Sequence, residues 1–219
     1  MTVTIKWLDH ASFQIQSESS VIYIDLAEEA EPTENADIIL VSHIHGDHCD
    51  PKVIKKARKE DTVVIAPADC KSKIGGKVTS LKPGEETTIG DVTVKAVEAY
   101  NFKRFRSPGN PFHPKGLGVG YVITLEGKTI YHAGDTDFIE EMKQLGSIDV
   151  ALLPIGGTYT MEVEDGTEAA IVINPKVVIP HHHWDGKFGQ TPDAFKKKVE
   201  ATSDIRVVVL ARNGEFQLS

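Results

Sequence analysis

Six consecutive residues of this chain carry three histidines and an aspartate, in the order His43-Ile44-His45-Gly46-Asp47-His48. The run follows the apolar stretch Ile38–Val41. It precedes Asp50-Pro51, where an aspartate cap and a proline at the first position predict the start of a helix. Three imidazoles and a carboxylate cannot all be buried in apolar surroundings without charge or hydrogen-bond penalties. Coordination to a divalent cation satisfies all four, so the turn predicts a metal site.

The spacing within this run favours two cations. His43 and His45 are two residues apart, so in an extended segment their side chains project to the same side. Asp47 and His48 then turn to the other side, which suits two adjacent cations better than one. A histidine-rich surface turn without ligands is the alternative. Imidazole and carboxylate ligands without a thiolate make zinc the default ion, with manganese or iron also chemically open.

Short apolar runs rich in Val, Ile and Thr recur along the chain and predict β-strands. These runs are Thr4–Trp7, Ser12–Ile15, Val21–Asp25, Ile38–Ser42, Thr62–Ala66, Val92–Val97, Val119–Leu125, Thr129–His132, Val150–Pro154, Val177–Pro180, Ile205–Leu210 and Glu215–Leu218. Helices are predicted for Pro51–Glu60, for Asp137–Leu145, from an Asp165/Glu168 capping box to the residue before Asn174, and for Thr191–Glu200. We therefore expect an α/β protein of a single domain, residues 1–219, with two mixed sheets packed face to face and helices outside.

Composition limits the classes of partner. The 219 residues contain 24 Lys and Arg against 32 Asp and Glu, a formal net charge of −8, which opposes binding to nucleic acid. No apolar stretch approaches the roughly 20 residues that span a bilayer, and the first residues lack the order of a signal peptide. Cys49 and Cys70 fit neither a disulfide framework nor a zinc module. We expect a cytoplasmic protein with a small-molecule substrate and no nucleic-acid or membrane partner; association into a homo-oligomer is left open.

The segment 100–118, rich in Pro, Gly, Asn and basic residues, separates the two halves of the chain. A loop of this length inside a compact domain is usually functional. Lys103, Arg104 and Arg106 lie shortly before His113, and we expect one or more of these cations to bind a phosphate or carboxylate of the substrate. A subunit contact or a solvated loop is the alternative interpretation.

Four further motifs accompany the histidine run, and together they extend over essentially the whole chain. They are Trp7-Leu8-Asp9-His10-Ala11, Ile130-Tyr131-His132-Ala133-Gly134-Asp135-Thr136, Leu152-Leu153-Pro154-Ile155-Gly156-Gly157 and Val178-Ile179-Pro180-His181-His182. With the H-x-H-x-D-H turn, they resemble the metallo-β-lactamase-fold superfamily. Within it they are similar to the small stand-alone, metal-dependent hydrolases of the L-ascorbate-6-phosphate lactonase type.

This resemblance implies an αββα sandwich and a centre of two divalent metal ions. It implies that His43, His45 and His113 bind the first ion, that Asp47, His48 and His182 bind the second, and that Asp135 bridges them. Two ions sharing a water would generate hydroxide near neutral pH, and Asp47 is the candidate to orient that water and move its proton. The predicted activity is hydrolysis of an ester or lactone-type bond in a small anionic molecule.

Several assignments have alternatives. His181 or His183 could replace His182 as the ligand, and Asp135 could cap a helix that starts at Asp137. The resemblance places His10 near the metals, where it would orient a ligand or touch substrate, although a satisfied core histidine is the more common outcome for such a residue. His132 has the same two interpretations. Asp25 resembles the buried structural acid of the superfamily, which forms hydrogen bonds that organise the histidine turn. A phosphodiesterase, or a metal-binding protein of this fold without turnover, are the alternative functions.

Overall fold

Two mixed β-sheets make up the centre of the fold. The computed structural model describes residues 2–183 and 191–219. The first sheet contains, in spatial order, β15 (Glu215–Leu218), β1 (Val3–Asp9), β2 (Ser12–Gln16), β3 (Val21–Ile24), β4 (Ala36–Leu40) and β5 (Arg58–Ile65). Its first four strands in this order pair antiparallel, whereas β3, β4 and β5 run parallel.

The second sheet repeats this mixture of strand directions. In spatial order it contains β14 (Arg206–Val207), β13 (Val177–His181), β12 (Val150–Pro154), β11 (Lys128–His132), β10 (Gly118–Leu125), β7 (Val92–Ala99) and β6 (Glu86–Ile89). The strands β11, β12, β13 and β14 run parallel to one another, whereas β6, β7, β10 and β11 are joined by antiparallel pairing. A separate hairpin is formed by β8 (Phe105–Ser107) and β9 (Asn110–Pro111).

Side-chain alternation decides which layer covers each face. In β4, Ile38 and Leu40 enter the core between the sheets, whereas Ile39 packs in a cluster with residues of α1 (Pro51–Ala57). In β12, Leu152 enters the same inter-sheet core. Leu153 packs on the other face, in a cluster with residues of α3 (Val163–Ile173) and α4 (Pro192–Thr202). The predicted four-layer αββα sandwich is therefore confirmed.

The predicted helix boundaries need two corrections in the first half of the chain. Asp50 caps α1 as expected, accepting hydrogen bonds from the backbone N–H of Lys52 and Val53. The helix nevertheless ends at Ala57 and not at residue 60, because Arg58 already pairs with β4 as the first residue of β5. A short helix α2 (Lys71–Ile74), preceded by the 3₁₀ turn Ala68–Cys70, was not predicted.

Three predictions in the second half were also wrong in part. Residues 137–145 form only the 3₁₀ turn Glu140–Gln144, because the Asp137 carboxylate binds backbone N–H groups of the preceding loop. Helix α3 starts at Val163, and Asp165 in its first turn binds cations of that loop and caps no helix. The predicted strand 205–210 is reduced to β14. No helix in the described residues has the length and apolarity needed to cross a membrane.

Candidate metal centre

The ends of several strands meet at one edge of the sandwich, and the predicted ligands lie there. The histidine turn connects β4 to the capped helix α1, Asp135 follows β11, and His182 follows β13. Because β11, β12 and β13 are parallel neighbours, their carboxyl ends share this edge. His113 comes from the connection between β9 and β10, and His10 from the turn after β1.

Three imidazoles form the first group of potential ligands. His43 Nε2 lies 3.0 Å from His45 Nδ1, and His113 Nε2 lies 3.2 Å from the same His45 atom. The ligand atoms of these three side chains all lie within 4.8 Å of one another. They are the three residues that the resemblance assigns to the first ion.

A second group forms on the other side of the turn from His10, Asp47, His48 and His182, with ligand atoms again within 4.8 Å. Asp47 Oδ2 lies 3.3 Å from His10 Nε2 and 3.9 Å from His48 Nε2. The backbone oxygen of His10 accepts a hydrogen bond from the His182 N–H at 3.0 Å. Both His10 and His182 have left-handed backbone conformations, with φ of 46° and 52°. Such strained geometry in non-glycine residues persists where the surroundings enforce it, often at functional sites.

The Asp135 carboxylate lies between the two groups. Its Oδ2 is 3.2 Å from His113 Nε2 and 3.2 Å from His182 Nε2, and its Oδ1 is 3.3 Å from His48 Nε2. The side chain is buried and contacts histidines of both groups, which is the position that a bridging ligand requires. It caps no helix, because residues 137–139 are not helical.

The buried Asp25 side chain fixes the conformation of the histidine turn. Its carboxylate accepts hydrogen bonds from the backbone N–H and the hydroxyl of Ser42, both at 2.6 Å, and from His48 Nδ1 at 2.8 Å. Since the Ser42 hydroxyl donates its hydrogen to Asp25, it accepts one from His43 Nδ1, 3.0 Å away. The Nε2 atoms of His43 and His48 therefore face the cluster as the ring atoms available to a cation.

Burial and charge set the protonation of these groups. Burial lowers the pKa of His43 and lowers that of His113 to about 4, so both rings are neutral near pH 7. Burial also lowers the pKa of His48, but the Asp135 and Asp25 carboxylates outweigh it and hold the pKa well above its ordinary value. For Asp135, burial raises the pKa, yet the nearby His182 and His48 keep it well below the usual range.

The donor set fits divalent cations. His48 Nε2 and Asp135 Oδ1 are buried and have no hydrogen-bond partner of good geometry in the described part of the chain. Imidazole nitrogens facing one another around a carboxylate repel when unprotonated, and a cation between them removes this repulsion. Nitrogen and oxygen ligands without a thiolate suit zinc, and also manganese or iron.

The three consecutive histidines, His181, His182 and His183, contact different neighbours. His182 joins the second group, whereas the fully buried His181 stacks on His132 with ring centroids 4.9 Å apart. His183 packs against Trp7, with ring centroids 5.1 Å apart. Of the three candidates, the structure brings only His182 to the clusters found among the described residues.

A cleft of about 470 Å³ opens onto both groups. Arg106 is the one Lys or Arg among the described residues that line it. The Phe112 and Tyr159 rings form an edge-to-face pair with centroids 4.8 Å apart, and the Arg106 guanidinium lies 5.8 Å from the Phe112 ring. The lining comprises His45, Gly46, Asp47, Arg106, Phe112, His113, Asp135, Tyr159 and His182.

The basic loop, residues 100–118, contains two more of the positively charged side chains that were expected at the cleft. Neither Lys103 nor Arg104 lines it. Arg104 is 9% exposed, donates Nε–H to the Gly157 carbonyl at 2.7 Å, and forms ion pairs with Asp137 and Asp165. Lys103 pairs with Asp165 at 2.8 Å. Arg104 is thus held in buried ion pairs and Lys103 in a pair at the surface, and neither side chain lines the cleft.

Sequence reasoning missed three residues around the site. Asn101 accepts hydrogen bonds from His113, and Phe112 and Tyr159 form the aromatic wall of the cleft. Phe112 directly precedes His113, which was a usable signal. Neither Asn101 nor Tyr159 carries a distinguishing pattern, because each reaches the site through loop folding.

Comparison with known proteins gives matches over nearly the full chain. The family described as "Beta-lactamase superfamily domain" matches residues 4–182. A UPF0173 metal-dependent hydrolase from Pelotomaculum thermopropionicum is 34% identical over 228 residues, covering 98% of this chain and 99% of that protein. Another from Thermococcus kodakarensis is 34% identical over 230 residues, covering 99% and 100%. A crystal structure of a candidate metal-dependent hydrolase from Parabacteroides distasonis has a TM-score of 0.84 at 37% identity, covering 94% of this chain and 92% of that one.

Proposed function

The chain belongs to the beta-lactamase superfamily and is a metal-dependent hydrolase. From this premise we propose that it holds two divalent cations, by default zinc, and cleaves an ester or lactone-type bond in a small anionic molecule. The observation that carries the proposal is the position of the Asp135 carboxylate between two groups of histidines.

In this proposal, His43, His45 and His113 would hold one cation and Asp47, His48 and His182 the other. Asp135, which lies between the two groups, would serve as a ligand shared by both sites. The chemistry that divalent cations supply in such a site is activation of water, whose pKa falls from about 15.7 toward 7, and polarisation of the oxygen under attack. Buried Asp135 supplies negative charge that offsets the cations. The buried His43 and His113 rings, neutral near pH 7, present nitrogen lone pairs without competition from protons.

Asp47 is the proposed proton carrier. Its side chain is 48% exposed and lines the cleft, so its carboxylate would be open to a water molecule there as well as serving as a ligand. Burial raises the pKa of Asp47, but the hydrogen bond from His10 and the nearby His48 outweigh it and hold the pKa below its usual range. An ionised carboxylate at this position orients the water and accepts its proton. We assign His10 a positioning role, because its ring contacts Asp47 and its carbonyl holds the His182 backbone.

The cleft supports an anionic substrate. Arg106 provides a positive charge at the wall beside His113, and a guanidinium binds a carboxylate or phosphate through paired hydrogen bonds. Phe112 and Tyr159 supply an apolar surface next to it, which suits a substrate with an apolar part and limits access of bulk water. A lactone or ester bearing one acidic group matches both features.

The proposal is tested first by metal analysis of the purified protein. Close to two equivalents of metal per chain are expected, and Asp135→Ala should lose metal and all hydrolytic activity. Zinc, manganese and iron reconstitution then identifies the ion. Metal content well below one per chain, with activity surviving Asp135→Ala, would refute the proposal.

A substrate panel tests the bond and the charge. Lactones, carboxylic esters, thioesters and bis(p-nitrophenyl) phosphate should be compared, each in neutral and acidic forms where available. Arg106→Ala should raise KM for acidic substrates roughly 10- to 100-fold and leave neutral ones unchanged, as expected for one charged hydrogen-bonding group. Lys197→Ala, which removes a charge from the exposed face of α4, is the matched control. Preferential cleavage of the phosphodiester would replace the ester proposal by a phosphodiesterase.

A further inference from the structure

A chain of buried hydrogen bonds runs from Arg104 through Asp137 and Asn101 to His113. We propose that Asp137 and Asn101 are positioning residues that fix the tautomer of His113, with the hydrogen on Nδ1 and the Nε2 lone pair facing the metal centre. The functional consequence rests on the proposed role of His113 as a metal ligand. The tautomer itself is a property of the metal-free protein and can be measured independently.

The Asn101 side-chain amide forms hydrogen bonds through both its oxygen and its nitrogen. Its Oδ1 accepts hydrogen bonds from the His113 backbone N–H at 3.0 Å and from His113 Nδ1 at 2.7 Å. Its Nδ2 donates to Asp137 Oδ1 at 3.2 Å. A backbone N–H can only donate and an ionised carboxylate can only accept, so these two neighbours fix which end of the amide points where.

Asp137 is held as an acceptor by its surroundings. The side chain is fully buried, and Oδ2 accepts hydrogen bonds from the backbone N–H groups of Phe102 and Lys103, both at 2.7 Å. Arg104 forms an ion pair with Oδ1, the same atom that receives the Asn101 amide. All of these neighbours donate, so the carboxylate acts as their acceptor and offers no hydrogen to Asn101.

The state of His113 follows from this arrangement. With Asn101 Oδ1 2.7 Å away, the ring must carry its hydrogen on Nδ1, since a lone pair there would face the amide oxygen. Asp135 Oδ2 also faces the ring, but it lies 3.2 Å from Nε2, farther than the 2.7 Å between Asn101 Oδ1 and Nδ1. The shorter contact keeps the hydrogen on Nδ1 and leaves Nε2 unprotonated, 3.2 Å from His45 Nδ1. The other tautomer would place a hydrogen on the nitrogen that a cation needs.

The decisive variant is Asp137→Asn. The N–H groups of Phe102 and Lys103 require an oxygen at one end of residue 137, so the new amide turns its NH₂ toward Asn101. Two NH₂ groups then face each other, and the Asn101 amide flips or withdraws from His113. The swapped pair N101D/D137N restores an acceptor beside His113 and a donor beside residue 101, at unchanged net charge. Asp165→Asn is the matched control, because it removes a carboxylate that pairs with Arg104 and Lys103 without touching Asn101.

The primary measurement is two-bond ¹H–¹⁵N correlation NMR on metal-free protein with ¹⁵N-labelled imidazoles. His113→Gln assigns the signals, and all spectra are recorded at pH 7.5. Wild type, Asp165→Asn and N101D/D137N should show His113 as the Nδ1–H tautomer. Asp137→Asn should shift the tautomer ratio roughly tenfold toward Nε2–H, as expected for the loss of one buried hydrogen bond. Asn101→Ala should do the same if Asp137→Asn does not fold.

Zinc affinity, measured by competition with a chelating dye, gives a second readout. Asp137→Asn and Asn101→Ala should bind zinc about 10- to 100-fold more weakly than wild type, with recovery in the swapped pair and no change in Asp165→Asn. Wild-type tautomer ratios in Asp137→Asn or in Asn101→Ala, or equal effects of Asp137→Asn and Asp165→Asn, would overturn the inference. The predicted tautomers in a protein without hydrolytic activity would count against the proposed function alone.

Discussion

Substitution of Gly156 should displace His182, a proposed ligand of the second group, and leave the first group in place. Gly156 follows β12 and lies against His182: a Cβ added to it would clash with the His182 carbonyl oxygen and lie 2.9 Å from His182 Nδ1. Gly118 has the corresponding position at the first group, where an added Cβ would lie 2.9 Å from the His43 Cβ. Gly46, within the histidine turn itself, has nothing within 4 Å of an added Cβ.

The size of the effect follows from these distances. Ordinary carbon contacts begin near 3.4 Å, so in Gly156→Ala the His182 backbone must move by roughly 1 Å, and displacements of that order cost about 100-fold where geometry is critical. Overpacking at a rigid site should lower the free energy of unfolding by about 1–3 kcal/mol. For a protein of this size, that corresponds to a Tm lower by about 2–10 °C.

A zinc titration against a competing chelator, with differential scanning fluorimetry in parallel, measures both effects. Gly156→Ala should retain one tight site and weaken the other about 100-fold, and Gly118→Ala should weaken the site at the first group of histidines. Gly46→Ala should bind zinc like wild type. If Gly156→Ala binds two zinc ions with wild-type affinity while its Tm falls, the close approach of Gly156 does not position His182 and the reasoning fails. Equal weakening of both sites in both variants would argue against two separable groups.

Three further predictions concern buried polar groups. Asp25→Asn replaces the carboxylate that accepts the hydrogen bond from His48 Nδ1, so the His48 ring is held less firmly. Zinc affinity should therefore fall about 10- to 100-fold in the same titration. Tyr121→Phe deletes a buried hydroxyl that donates to the Val41 carbonyl at 2.8 Å, and urea denaturation should show a loss of about 1 kcal/mol. Burial raises the pKa of Asp165, but hydrogen bonds from two neighbouring cations outweigh it and hold the pKa below its usual range. The lowered pKa stabilises the folded state above the unfolded-state value of about 3.9, so the Tm advantage of wild type over Asp165→Asn should shrink as the pH falls below about 4.

Much of the fold could be predicted because local patterns report it directly. Strand alternation in β4 and β12 gives both faces of each sheet, and Asp50-Pro51 marks the start of α1. The ends of elements were harder to predict, because tertiary pairing overrides propensity. Arg58 continues a favourable helical pattern but pairs with β4, and Asp137 resembles a helix start but is used by backbone N–H groups of a distant loop.

The sequence by itself determined the ligand chemistry. The histidine turn places four side chains within six residues, so their proximity is guaranteed by covalent connection and needs no knowledge of the fold. Only the tertiary structure decided which of His181, His182 and His183 joins them, because a left-handed residue at the end of β13 sets the direction of each ring.

The basic loop shows the same division most clearly. Its composition indicates positive charge near His113 but leaves open where each charge points, since a loop's path depends on contacts made by residues far along the chain. In the folded protein, Asp137 and Asp165 draw Arg104 into the interior and Asp165 pairs with Lys103, which leaves Arg106 at the cleft. Covalent spacing thus determined the donor groups of the histidine turn, and long-range packing decided which basic side chain lies at the cleft.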